Sequence, residues 1–303
     1  MYSDINELLN RLSNESQYDT AAKEILKDKI LLSNILQPLL PELRSYNCED
    51  VVKFLSEPKI ASVPLEFTPK IDDKANESKI PNEGSVFFDI VFDLHIPAEK
   101  DPIKIIIDIE AQKNPHPGYD LVTRGFFYCA RLVSSQLNRD FVIPKYNQIS
   151  KTYSIWICMN EGIKNANTIT RYHIDKTPIL GNYEGEERYD LMEVIMIRIG
   201  NIPSRQKGVA QLLSIIYSKY LSIDEKTELL KGNYDLHISQ SSKEVIGKMS
   251  NLGEGIREQD KLDDIIILMD YLKCPFEKAA EILRVPKDNI DYMRTLYEDR
   301  IES

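Results

Sequence analysis

Two stretches of this chain, Val86 to Ile96 and Ile105 to Gln112, alternate in polarity with a period of two and constrain the fold more than any other feature. In a strand successive side chains point to opposite faces. Val86, Phe88, Ile90, Phe92, Leu94 and Ile96 therefore make one apolar face, and Asp89, Asp93 and His95 point the other way. In the second run Ile105, Ile107, Ile109 and Ala111 are apolar, while Lys104, Asp108, Glu110 and Gln112 share the opposite face with Ile106. Pro97 to Pro102 cannot continue a ladder, so the runs are expected to pair as an antiparallel hairpin whose acidic faces coincide. Alternation alone puts carboxylates at every second position of any hairpin with one wet face. The same two faces would also cradle a divalent metal ion.

The remaining elements read as follows. Thr20 to Leu43 has helical spacing, with a kink or break expected at Pro38 and Pro41, and Asp50 to Leu55 reads as a short helix. Glu57 to Gly84 is polar and proline-containing, and reads as a long loop with one extended segment at Val63 to Phe67. Asn114 to Gly118 is a turn, and Tyr119 to Leu137 a helix with an apolar stripe through Leu121, Gly125, Cys129 and Leu132. On that helix Arg124, Tyr128, Arg131 and Ser135 share another face, by three-and-four spacing. Tyr153 to Met159 is apolar on both faces, as a central strand is, and Leu191 to Ile199 is a further strand. From Ser204 onward the pattern is helical, with segments at Val209 to Leu221, Asp224 to Leu230, Asp235 to Met249, Lys261 to Leu272, Pro275 to Leu283 and Lys287 to Asp299. The order of strands and helices is that of an α/β domain with a mixed sheet and an all-helical C-terminal extension. Cys274 to Pro286 has the spacing of a helix-turn-helix arm, and equally that of an acidic helix pair serving as an oligomerisation or capping element.

Charge narrows the functions open to the chain. A net charge of −10 excludes a protein that coats nucleic acid non-specifically. The average hides segregation, however. Between Ala111 and Asn160 six lysines and arginines (Lys113, Arg124, Arg131, Arg139, Lys145, Lys151) face only Asp120 and Asp140, directly downstream of the acidic hairpin, where a phosphate-bearing substrate would lie. No apolar run approaches the roughly 20 residues that span a bilayer, and the N-terminus lacks a basic-then-apolar signal pattern. The four cysteines have no CxxC spacing and read as reduced thiols of a cytoplasmic protein. His95, His116, His173 and His237 show no metal-ligand spacing.

Asp89 followed by Glu110-Ala111-Gln112 resembles the PD-(D/E)XK nuclease superfamily, in which an Asp on one strand and a (D/E)-x-K on the next hold the catalytic metal. More closely, six segments look like the PD-(D/E)XK nuclease family transposases related to recombination-promoting nucleases: Phe88-Asp89-Ile90-Val91-Phe92, Ile109-Glu110-Ala111-Gln112-Lys113, Pro117-Gly118-Tyr119, Arg124 with Tyr128-Cys129-Ala130-Arg131, Ser134-Ser135-Gln136, and Tyr153 through Asn160. The likeness is sharp over residues 84–160, looser from Ala22 to Glu83 and faint beyond Gly200. It implies a restriction-endonuclease-like core over residues 1–220, a mixed central sheet flanked by helices, with the helical extension at 221–303.

The resemblance further implies a Mg²⁺- or Mn²⁺-dependent DNA endonuclease hydrolysing phosphodiester bonds, acting in recombination or transposition. Asp89 and Glu110 would be the catalytic carboxylates and metal ligands, joined by the Ala111 carbonyl, because hard oxygen donors suit these ions. Gln112, in the place of the motif lysine, would orient the attacking water without supplying charge or proton. Arg124 and Arg131 would hold phosphate oxygens, beside Tyr128. A first-helix acid is expected at Glu42 or, second, Glu24, another acid at Glu77 of the polar loop, and Asp93 and Asp108 as supporting or merely solvated groups. DNA is the implied partner, with a homo-oligomer open. The alternative is a non-catalytic DNA-binding or assembly protein that keeps the nuclease fold, and after it a purely structural oligomer.

Overall fold

The computed structural model describes residues 16–57, 88–99, 102–162, 164–200, 206–218, 220–236 and 239–251, the strand residues 59–60, 78–79 and 85–86, and scattered positions from 262 to 298. Residues 16–25 form helix α1, and Asp28 caps α2 (Lys29–Leu39) by accepting hydrogen bonds from the Ile30 and Leu31 amides. A break at residues 26–28 thus precedes the one expected at the prolines, where α2 ends. Pro38 sits in the last turn of α2, and Pro41 opens a 3₁₀ turn, Pro41–Leu43. After α3 (Cys48–Phe54) come the two-residue strands β1 (Lys59–Ile60), β2 (Ser78–Lys79) and β3 (Ser85–Val86). The extended segment expected at Val63 to Phe67, and Glu77, lie outside the described residues.

The hairpin forms as read. β4 (Ile90–Ile96) pairs antiparallel with β5 (Ile103–Gln112), setting Ile90 opposite Ile109 and Asp93 opposite Ile106. Helix α4 (Leu121–Ser134), capped by the Asp120 carboxylate on the Val122 and Thr123 amides, returns the chain to β6 (Lys151–Cys158), which runs parallel to β5. β8 (Met192–Arg198) is parallel to β6, and β7 (Thr168–His173) closes the edge antiparallel to β8. The sheet order is β1-β4-β5-β6-β8-β7. β7 escaped the sequence reading because it alternates between exposed and half-exposed positions and buries no apolar face.

Helices cover both faces. One face, through Ile90, Phe92, Ile107, Tyr153 and Ile195, packs on α1, α2 and α5 (Val209–Ile216). Leu230 of α6 (Ile223–Tyr234), Leu236, and Ile246 and Met249 of the helical residues 240–251 (α7) belong to this same core. The buried Lys226 of α6 donates to the Ile216 carbonyl at the end of α5 (3.0 Å), and burial pulls its ammonium down to about 7. A separate cluster, Leu262, Ile265, Phe276, Ala279, Ala280, Val285 and Met293, gathers around α8 (Phe276–Ile282). The opposite sheet face packs against α4 through Ile106, Cys129, Trp156 and Val194. Among the described residues no helix is long and apolar enough to cross a membrane.

The seating of α4 depends on Gly125. A Cβ there would stand 2.7 Å from Val194 Cγ1 and 3.1 Å from Trp156 Nε1. Both atoms belong to packed side chains, so a larger residue has to lift the helix. Gly125→Val is expected to destabilise the protein by about 1–3 kcal/mol, the usual penalty of overpacking. Urea unfolding measures it, and an unchanged midpoint would show that α4 sits less tightly than described.

Candidate functional site

A bend at Asp89, just before β4 begins, shapes the site. It breaks the strand alternation, so Phe88 does not share the face of Ile90 and Phe92 as the sequence pattern predicts. Phe88 instead packs edge-on against Tyr128 of α4, ring centroids 4.9 Å apart. The bend also lets the acids of the two strands grip each other's backbone. The Asp89 amide donates to Glu110 Oε1 (2.9 Å), and the Ala111 amide to Asp89 Oδ2 (3.0 Å).

The second departure concerns water. α4 covers the face that carries Asp108 and Glu110, so Asp108 is 0% and Glu110 4% exposed. Burial raises both carboxyls: Asp108 is pushed up to about 8, and Glu110 well above the usual range, with Asp108 and Asp89 adding repulsion. Ser154 Oγ, itself accepting from Trp156 Nε1 (2.9 Å), donates to Asp108 Oδ2 (2.8 Å). Among the described residues Asp108 Oδ1 has no donor. The Asp108 and Glu110 carboxyls lie close enough to interact side chain to side chain.

Two cations border the acids. Arg124 of α4 donates from Nε to Tyr128 Oη (3.1 Å) and from Nη1 to Tyr119 Oη (2.6 Å), and lies over the Trp156 ring at 5.1 Å. Glu110 and Arg124 are close enough to act on each other electrostatically. Lys23 of α1 contacts Asp89 Oδ1 and Asp19 Oδ2, each at 2.9 Å. The structure thus brings together Asp89, Asp108, Glu110, Arg124 and Tyr128, and adds Asp19 and Lys23. The sequence carried one signal for that addition, an Asp and a Lys four residues apart on a helical stretch.

Other expected residues fall elsewhere. Glu42 is not beside Asp89 and Glu110: its 3₁₀ turn reaches the start of β6, where it accepts from Tyr153 Oη (2.9 Å) and meets Lys151 at 3.3 Å. Tyr153 precedes Trp156, the partner of Glu110, by three residues or about 10 Å of strand. Glu24 pairs with Lys27 on the surface (2.8 Å). Arg131 is only 3% exposed and lies two helical turns, about 10 Å, beyond Arg124, away from any phosphate bound at Arg124. The Gln112 amide nitrogen is turned onto the Asn114 carbonyl (2.7 Å). Asp93 is paired with Lys104 (3.1 Å).

The donor set fits a hard divalent ion. Asp89 and Glu110 offer oxygens only, their environment holds more acid than nearby base, and an uncompensated atom, Asp108 Oδ1, adjoins them. Among the described residues no three of His, Cys, Asp and Glu gather as an all-protein cage. Mg²⁺ does not require one, since one or two carboxylates commonly hold it, with water and substrate phosphate completing the shell. Comparison with protein-family models, curated proteins and solved structures gave no match.

Titration of the buried pair is measurable without any ion. A raised carboxyl binds its proton in the folded state while the unfolded chain, near pH 4, has lost it. That contribution is full below the unfolded value and is lost as pH climbs through the folded one. From about pH 4 to about 8, Asp108 therefore takes up to about 1.4 kcal/mol per pH unit from stability. Asp108→Asn should flatten the decline by about one proton and exceed wild type in stability at pH 8. Urea titrations from pH 5 to 8 in EDTA test this, and parallel pH profiles would refute the buried pair.

Proposed function

We propose that this chain is a Mg²⁺- or Mn²⁺-dependent DNA endonuclease of the PD-(D/E)XK kind, hydrolysing phosphodiester bonds in recombination or transposition. The observation that carries the reading is the mutual grip of Asp89 and Glu110 across the bend, which fixes two carboxylates side by side at the end of the hairpin. The mixed sheet with helices on both faces and the flanking Arg124 support it.

The division of labour follows from the chemistry of each side chain. Asp89 and Glu110 would hold the ion, which when bound supplies charge neutralisation at the phosphate and a more acidic water. Asp108 keeps Glu110 in place: Ser154 anchors one of its oxygens, and the Glu110 carboxyl adjoins it. Arg124, braced by Tyr128 and Tyr119, directs a half-buried guanidinium at the phosphate. Gln112 contributes neither charge nor proton, and its amide nitrogen serves the turn at Asn114.

That Gln112 contact favours a second reading, in which the fold binds DNA without cutting it. One assay separates the two. Wild type is expected to nick supercoiled plasmid in Mg²⁺, and Glu110→Ala to lose about 100-fold or more of that rate, since ion stabilisation amounts to several kcal/mol. Equal rates for the two proteins would overturn the site. DNA retardation on a gel without nicking by wild type would favour the second reading.

A further inference from the structure

The lysine on Asp89 has no place in the division of labour above, yet its setting is specific. Lys23 lies between two carboxylates, Asp89 on the hairpin and Asp19 one turn earlier on α1, at 2.9 Å from each. Its backbone is pinned on both sides. Tyr18 Oη donates to the Tyr217 carbonyl (2.7 Å), and Tyr217 Oη donates to the Ala22 carbonyl (2.9 Å), tying α1 to the end of α5. Tyr18 and Tyr217 are both buried, so α1 is held to the core while the ammonium, on a flexible four-carbon stem, remains free to choose between the two acids.

A divalent ion bound by Asp89 would sit about 2 Å from a carboxylate oxygen. The oxygens of Asp89 are already engaged, Oδ2 by the Ala111 amide and Oδ1 by Lys23. An ammonium at 2.9 Å from Oδ1 would stand within a few ångströms of that ion. Like charges at such separation repel strongly. Asp19 provides the retreat, because Lys23 keeps a full ion pair there when it leaves Asp89.

We propose that Lys23 is the resident counter-cation of Asp89, that it competes with a divalent ion for that carboxylate, and that it thereby sets the ion affinity of the site, with Asp19 as its alternative partner. The inference rests on the reading of Asp89 and Glu110 as ion ligands. It makes Lys23 a positioning residue that acts through Asp89, and it is readable in binding alone, without turnover.

Calorimetric titration of the full chain with Mn²⁺ tests it. Lys23→Met and Lys23→Gln should each bind Mn²⁺ about tenfold more tightly than wild type or better. Lys23→Arg keeps the charge and should stay near wild type. Lys27→Met, which removes an equal charge from the Glu24 pair on the same stretch of chain, should also leave affinity unchanged. In a double-mutant cycle Asp19→Asn should weaken Mn²⁺ binding more when Lys23 is present than in the Lys23→Met background. Equal or weaker binding by both neutral Lys23 variants overturns the inference and leaves the ion reading standing. Absence of Mn²⁺ binding by wild type and all variants overturns both.

Discussion

The structure turns on the burial of an acidic strand face. Asp108 and Glu110 lie two residues apart on β5, beneath α4, where an ionised carboxylate loses several kcal/mol of hydration. The fold meets this cost locally. Ser154 donates to one oxygen of Asp108, the Asp89 amide to Glu110, and burial raises both carboxyls towards their neutral forms. The contacts that seat α4 follow from the same geometry. Gly125 lets the helix approach Trp156 and Val194, and Trp156 in turn orients Ser154. Backbone packing and the protonation of two acids are therefore one problem.

Much of this was legible in the sequence, because period-two alternation dictates strand pairing. The β4–β5 hairpin, the α4 crossover and the central β6 all follow from apolar spacing. Alternation does not report what covers a face, however. Asp108 and Glu110 read as wet because a strand pattern cannot tell water from a covering helix, nor see the serine that β6 places beside Asp108. Nor does alternation survive a bend, which is why Phe88 changed sides at Asp89. The first-helix residue was misplaced for a different reason. The helix ends near Pro38 and Pro41 as expected, but a further break before Asp28 splits it, and Lys23 of the first half rather than Glu42 stands beside the hairpin. The helical C-terminal segments were readable as helices, while Leu230, Ile246 and Met249 join the sheet's own core, a tertiary fact that no local pattern encodes.

The two ends of β6 show why the Asp89 end is the functional candidate. At the start of the strand Lys151 meets Glu193 at 2.5 Å, Asp190 at 2.9 Å and Glu42 at 3.3 Å, and Tyr153 Oη bridges Glu42 and Glu193. That cluster has a central cation within 3.3 Å of every acid, although Asp190 Oδ1 and Glu193 Oε2 have no hydrogen-bond partner among the described residues. At the other end the cations stand at the rim. Lys23 touches only Asp89 of the three acids, and Arg124 spends its donors on tyrosine hydroxyls. The carboxyls of Asp108 and Glu110 are raised instead, chiefly by burial, with neighbouring acids adding repulsion.

A shortfall of positive charge among buried acids favours the binding of a cation. A buried network that is complete has nothing to gain from a ligand, whereas carboxyls kept neutral by desolvation release protons when a divalent ion arrives. At neutral pH the buried, raised carboxyls of Asp108 and Glu110 hold protons, which spares the fold the cost of burying their charge. Nuclease chemistry would use the exchange of protons for an ion directly: the ion that completes the acids is the ion that neutralises the phosphate. Arg124, stacked on Trp156 and close to Glu110, would then supply a second positive charge.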